Sequence, residues 1–111
     1  MRKCKITVVR RCFFEDLASE YVSIEDYGFC PVFKDGEVYI TGGLFGADMP
    51  EGFCAVAWEC VQKQAAVFAY GGKAMGIDDV HLMCCSDGAR PVIFRLEAIE
   101  DDDILEVKLR P

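Results

Sequence analysis

The fold is decided at residues 48–72, DMPEGFCAVAWECVQKQAAVFAYGG, which contain the longest helical pattern of the chain. Asp48-x-x-Glu51 is a capping signal and Gly71-Gly72 is a stop signal, so the pattern predicts one long helix from about Glu51 to Tyr70. Apolar side chains cover most of its circumference, which is typical of a helix that lies centrally in the core or between a sheet and a neighbouring subunit.

The stretches around this helix have the two-residue alternation of strands. Strands are predicted over residues 4–9, 37–41, 80–85, 92–99 and 105–109, and a short helix with the stripe Phe14, Leu17, Ala18 and Tyr21 is predicted between the first two. The loop at residues 86–91 contains turn formers, so the two strands beside it form a hairpin. We therefore expect one compact α+β domain over residues 1–111, with an antiparallel sheet of about four strands and one short and one long helix packed on it.

Alternation also assigns faces to the side chains of these strands. Cys4, Ile6 and Val8 share the apolar face of the first strand. In the strand at 80–85, the apolar set Val80, Leu82 and Cys84 is predicted to face the core. His81 and Cys85 would then lie on the other face, where Cys85 is available for chemistry.

Charge and composition limit the partners of the protein. The formal charge of −7 makes nucleic acid and anionic membranes unsuitable partners, since both require basic surfaces. Five of the twelve basic residues fall within residues 2–11, so a basic end faces an acidic body, which favours a homo-oligomer; the alternative is a solvated first strand. No apolar run is long enough for a signal segment or a membrane span, which predicts a cytoplasmic protein.

Cysteine is the residue type that points to chemistry. Seven cysteines are too few for a disulfide scaffold and odd in number, so reduced thiols are expected. Cys54 is the candidate catalytic residue, because the free amides and the dipole of a helix first turn stabilise a thiolate. The sequence leaves open whether the protein is an enzyme.

Four ordered motifs carry a resemblance to a known family. They are Cys30-Pro31-x-Phe33-Lys34-x-Gly36, Pro50-Glu51-Gly52-Phe53-Cys54-x-x-Ala57-Trp58, Gly71-Gly72 and Cys85-Ser86-Asp87-Gly88-x-x-Pro91-Val92-x-Phe94. Over residues 3–97 the chain resembles an uncharacterised family of small conserved hypothetical proteins of anaerobic bacteria and archaea. The resemblance implies a family pattern of single cysteines at Cys30, Cys54 and Cys85. Many members have a Gly-His pair where this chain has Val32-Phe33, and that departure removes the most obvious fourth metal ligand.

Three hypotheses follow from these cysteines. The first is that Cys30, Cys54 and Cys85 converge and bind zinc or an iron-sulfur cluster, with His81 as a possible fourth ligand. The second is that Cys54 exchanges disulfides. Free cysteine often packs as a small buried hydrophobe, and a lone strand histidine is often only hydrogen-bonded. The third hypothesis is a non-catalytic homo-oligomeric binding or accessory module, suggested by loop aromatics at Tyr27, Phe29 and Phe45.

Overall fold

A computed structural model describes residues 2–100 and shows an α+β arrangement of four strands and two helices, as predicted. The elements are β1 (Lys3–Arg11), α1 (Glu15–Tyr21), β2 (Val38–Ile40), α2 (Ala55–Ala69), β3 (Val80–Cys84) and β4 (Val92–Ile99), with a 3-10 turn at Leu44–Gly46. The strand predicted at 105–109 lies outside the described residues. No helix within residues 2–100 is long and apolar enough to cross a membrane.

The four strands form one antiparallel sheet in the order β2-β1-β4-β3. The N-terminal strand is therefore central and pairs with β4 along nearly its whole length, from Lys3 opposite Ile99 to Arg11 opposite Val92. The predicted inward face of β1 is confirmed, because Cys4, Ile6 and Val8 are fully buried.

Helix α2 covers one face of the sheet and contacts β1, β3 and β4. Its buried face includes Ala57, Trp58, Val61, Ala65 and Phe68, which join the inward residues of the sheet in one core. Among the described residues, side chains on the other side of the helix are exposed, so the helix is not buried around its whole circumference. Val56, for example, is 56% exposed.

The long helix begins later than predicted. The prediction of a start near Glu51 is wrong, because Gly52 has a φ of +81°, a left-handed conformation that a right-handed helix does not contain. Residues 50–53 instead form a turn in which the Phe53 amide donates to the Pro50 carbonyl at 3.2 Å. Cys54 is consequently the N-cap of α2 and not a residue of its first turn. The predicted stop is confirmed: the Gly71 amide donates to the Phe68 carbonyl at 3.0 Å.

The face of strand β3 that turns toward the core is the opposite of the predicted one. Val80 and Leu82 are 45% and 62% exposed, whereas Met83 packs against the core. The cause is the pairing with β4, in which Met83 lies opposite the fully buried Phe94. Cross-strand partners share a face, so β4 decides which side of β3 turns inward.

Helix α1 also differs from its pattern. Of its predicted stripe only Ala18 is buried, while Phe14, Leu17 and Tyr21 keep 42–75% of their surface exposed. Its start is held by the Phe14 amide, which donates to the Ala89 carbonyl at 2.8 Å and so ties α1 to the β3–β4 loop.

Candidate functional site

A cavity of about 210 Å³ lies beside the N-terminus of α2, and three thiols line it. These are Cys30, Cys54 and Cys85, the positions picked out by the family resemblance. They come from three separate segments of the chain: a loop, a helix cap and the end of a strand. The rest of the lining is Val32, Phe33, Val56, Ala57, Ser86, Asp87, Arg90 and Val92.

The Cys30 segment is anchored at Cys30 itself and again three residues later. The Cys30 carbonyl accepts a hydrogen bond from Arg11 Nη1 at 3.2 Å. Three residues later, Phe33 is 1% exposed, and its ring lies 5.0 Å from the Phe53 ring and 5.1 Å from the Phe94 ring, centroid to centroid. Edge-to-face aromatic contacts of this kind hold a loop in one position.

Cys54 is placed by the start of α2. Its carbonyl accepts the first intrahelical hydrogen bond, from the Trp58 amide at 2.9 Å, and its side chain makes no capping hydrogen bond. Because the preceding Phe53 is buried against Phe33, the segments that carry Cys30 and Cys54 share one aromatic cluster. Cys54 therefore occupies the helix start, where unpaired backbone amides are concentrated.

Cys85 directly follows β3 and is held by the neighbouring strand. Its amide donates to the Val92 carbonyl at 3.2 Å, and its sulfur accepts a hydrogen bond from the Val92 amide at 3.4 Å. The thiol faces the core side of the sheet, because it continues the alternation of His81 and Met83, and it is half-buried.

A polar cluster beside the thiols was missed by the sequence reasoning. Asp87 Oδ2 accepts hydrogen bonds from the Tyr27 hydroxyl at 2.7 Å and from Arg90 Nε at 3.1 Å, and Asp87 Oδ1 accepts from the amides of Ala89 and Arg90. The Arg90 guanidinium carbon lies 4.2 Å from the centre of the Tyr27 ring. The sequence suggested only turn formation at Asp87-Gly88, and nothing in it connected this turn with Tyr27, 60 residues away.

The cluster controls two ionisations. Burial raises the pKa of the Asp87 carboxyl, but hydrogen bonds from Tyr27 and from the two loop amides outweigh it and lower that pKa below 3.8. The same hydrogen bond raises the pKa of the Tyr27 hydroxyl above 10.0. Asp87 is thus charged and Tyr27 neutral at physiological pH.

His81 does not join the three thiols. Its Nδ1 lies 3.4 Å from Gln64 Oε1 on α2, and the residue is not part of the cavity lining. Within residues 2–100, no group of three or more histidine, cysteine, aspartate or glutamate side chains is arranged to hold a metal ion. The metal site at Cys30, Cys54 and Cys85 stays a prediction.

No family model matches the chain, and no curated protein or solved structure is significantly similar to it. The resemblance to an uncharacterised family likewise stays a prediction. The function has to be argued from the geometry of the cavity.

The seven free thiols differ in their surroundings, which predicts a difference in reactivity. Burial raises the pKa of the Cys4 thiol to about 12, whereas Cys84 is exposed. At pH 8 the thiolate fraction of Cys4 is then on the order of 10⁻⁴. We expect iodoacetamide to label Cys84 at least about 100-fold faster than Cys4 in the native protein, as followed by peptide mass spectrometry. Equal labelling in 6 M urea is the control, and equal labelling in the native state would contradict the buried position of Cys4.

Proposed function

We propose that this protein is a small cytoplasmic thiol-redox protein that exchanges disulfides in the cavity at the N-terminus of α2. The observation that carries the proposal is that Cys30, Cys54 and Cys85, from three separate segments, all line one cavity of about 210 Å³. All three are only partly buried where they pack against the core, so each thiol also borders the cavity. Cys4, which packs at 0% exposure in the centre of the sheet, has the surroundings of a cysteine that only fills the core.

Cys54 is the proposed nucleophile. It is the N-cap residue of α2, and a helix N-terminus favours negative charge. The Cys54 thiolate attacks one sulfur of a disulfide substrate, the substrate S–S bond breaks, and its other sulfur leaves as a thiolate with the electron pair. The product of this step is a mixed disulfide between Cys54 and half of the substrate.

A second cavity thiol completes the reaction. Cys30 or Cys85 loses its proton to solvent, attacks the Cys54 sulfur and displaces the remaining half of the substrate as a thiolate. The substrate has then gained two electrons, the protein has lost two, and an internal disulfide remains. A dithiol reductant of the cytoplasm returns the protein to its reduced form by the reverse exchange.

The test is native mass spectrometry of protein purified without oxygen and then treated with a disulfide. We expect the loss of two hydrogen atoms per chain, with peptide mapping assigning the new disulfide to two of Cys30, Cys54 and Cys85. Cys54→Ser should abolish this oxidation, while Cys84→Ser is the matched control: it removes an exposed thiol outside the cavity and should leave the reaction intact.

Two results would contradict the proposal. One is a cavity whose three thiols stay reduced while Cys84 forms mixed disulfides. The other is a stoichiometric zinc or iron adduct that Cys54→Ser removes, which would favour the metal-site hypothesis.

A second candidate function is a non-catalytic homo-oligomeric accessory module. Leu44 is 71% exposed, and the rings of Phe45 and Tyr70 stack 5.5 Å apart while both remain about half exposed. Apolar clusters of this kind are found at protein interfaces. The same native spectrum reports the number of subunits, and a dimer that Phe45→Ser separates would support this candidate.

A further inference from the structure

Arg90 gives the thiol cavity a cationic group. Among the described residues that line the cavity, Arg90 is the one basic side chain and Asp87, its ion-pair partner at 3.1 Å, is the one acidic side chain. Most of the other lining residues are apolar or cysteine. The Arg90 side chain is 29% exposed and bonds Asp87 through Nε, which leaves its terminal amino groups as the part of the cavity wall suited to a ligand with a negative charge.

The Arg90 side chain is held in place before any ligand arrives. Its Nε donates to Asp87 Oδ2 at 3.1 Å, and its guanidinium carbon lies 4.2 Å from the centre of the Tyr27 ring. The backbone beneath it is fixed too, since the Arg90 amide donates to Asp87 Oδ1 at 3.1 Å. A ligand would therefore bind without having to order this arginine, which is the advantage of a preorganised site.

Asp87 does not use up the binding capacity of Arg90. The carboxylate accepts four hydrogen bonds, two from loop amides, one from Tyr27 and one from Arg90 Nε. The two terminal amino groups of Arg90 donate to no residue within the described part of the chain. These two groups are the donors with which arginine binds a carboxylate through two parallel hydrogen bonds.

The size of the cavity limits the ligand further. At about 210 Å³ it is smaller than the roughly 300–1,000 Å³ of sites for drug-sized molecules. It has room for a group the size of an amino acid, beside walls of Phe33, Ala57 and Val92. A folded protein that presents its disulfide on a surface would not fill such a concave site.

We propose that the substrates of this cavity are low-molecular-weight disulfides that carry a carboxylate, which the Arg90 guanidinium binds next to the three thiols. This inference rests on the proposed function for the disulfide, and on Arg90 alone for the carboxylate. The two parts can be tested separately.

The charge preference is tested with two alkylating reagents that differ mainly in charge. Iodoacetate and iodoacetamide undergo the same displacement of iodide by a thiolate, so the ratio of their rates at the cavity thiols reports anion recognition, whether or not the protein exchanges disulfides. We expect Arg90→Met to lower the iodoacetate-to-iodoacetamide ratio at Cys54 about 10-fold or more, the range for a charge-assisted hydrogen bond. Arg95→Met is the matched control, because Arg95 pairs with Glu97 on exposed surface and is not part of the cavity.

The ratio separates recognition from structural support. If Arg90 only supports the loop, Arg90→Met changes both rates together and the ratio stays constant, which would overturn the inference. Cys84 serves as an internal reference outside the cavity, where the ratio should not respond to Arg90.

The substrate class is tested by exchange with cystine, the neutral disulfide of 2-mercaptoethanol and a disulfide-bonded protein. We expect the second-order rate constant to be about 10-fold or more higher for cystine than for the neutral disulfide, and this preference to be lost in Arg90→Met. Faster exchange with the protein disulfide would overturn the inference and leave the proposed function standing. Exchange with none of the three disulfides would contradict the proposed function and, with it, the disulfide part of the inference. A fall in the iodoacetate-to-iodoacetamide ratio in Arg90→Met would in that case still support carboxylate recognition by Arg90.

Discussion

Phe33→Ala is expected to lower the free energy of unfolding by about 3–5 kcal/mol, the range for a fully buried aromatic side chain. Phe33 is 1% exposed and packs edge-to-face on Phe53 and Phe94, with its ring 6.0 Å from that of Tyr39. Alanine would leave a cavity at the centre of this cluster, and the shell of strands and helix around it can close only in part. Urea unfolding followed by the fluorescence of Trp58, the sole tryptophan, measures the loss.

The position of Phe33 makes the same variant a test of how the thiols are held. Phe33 lies in the cavity wall three residues after Cys30, so its loss should also loosen the Cys30 segment and slow formation of the internal disulfide. Phe29→Ala is the control. The Phe29 side chain is 53% exposed, its ring lies under the Arg11 guanidinium and beside Phe13, and its loss should cost less than about 1 kcal/mol. Equal losses for the two variants would contradict the core position of Phe33.

Asp87→Ala is expected to lower the free energy of unfolding by about 2–3 kcal/mol at pH 7. The substitution removes the acceptor for Tyr27, Arg90 Nε and two loop amides, although partial exposure of the carboxylate lets water replace some of these bonds. Asp87→Asn should lose about half as much, because its amide oxygen still accepts from the two loop amides. A loss under about 0.5 kcal/mol for Asp87→Ala would show that the cluster does not hold the loop.

The effect of Asp87 should depend on pH in one direction. The pKa of Asp87 is lowered in the folded protein below the ordinary value of 3.8, so the folded state binds the proton less tightly than the unfolded chain does. The stabilisation is therefore fully present above pH 3.8 and is lost as the pH falls through the folded pKa. Urea unfolding at a series of pH values should show wild type and Asp87→Ala converging in acid, and a constant difference would contradict the pKa shift.

The elements with one strong local signal were predictable. The strict alternation of β1 and the paired glycines after α2 each have one physical interpretation, and both predictions are confirmed. The face of β3 was predicted wrongly, because the more apolar alternating set of this strand faces outward and the choice depends on pairing with β4. The start of α2 was missed because the left-handed conformation of Gly52 is a backbone property that a capping motif does not reveal.

The candidate site was predictable only in part. A family resemblance pointed to Cys30, Cys54 and Cys85, but their meeting in one cavity depends on the aromatic cluster that joins distant segments. The cluster of Tyr27, Asp87 and Arg90 depends on a contact across 60 residues and on a loop whose turn formers have no chemical signature. Such long-range contacts are decided by tertiary packing and not by local sequence.

The pairing of β1 with β4 sets the order of events during synthesis. The ribosome adds residues 3–11 long before residues 92–99, which pair with one hydrogen-bonding edge of β1 along nearly its whole length. Contacts so distant in sequence close slowly, because a long loop must be ordered before the pairing is gained. Until β4 is made, this edge of β1 has no strand partner, and a chaperone that shields residues 3–11 would act during that interval of aggregation risk.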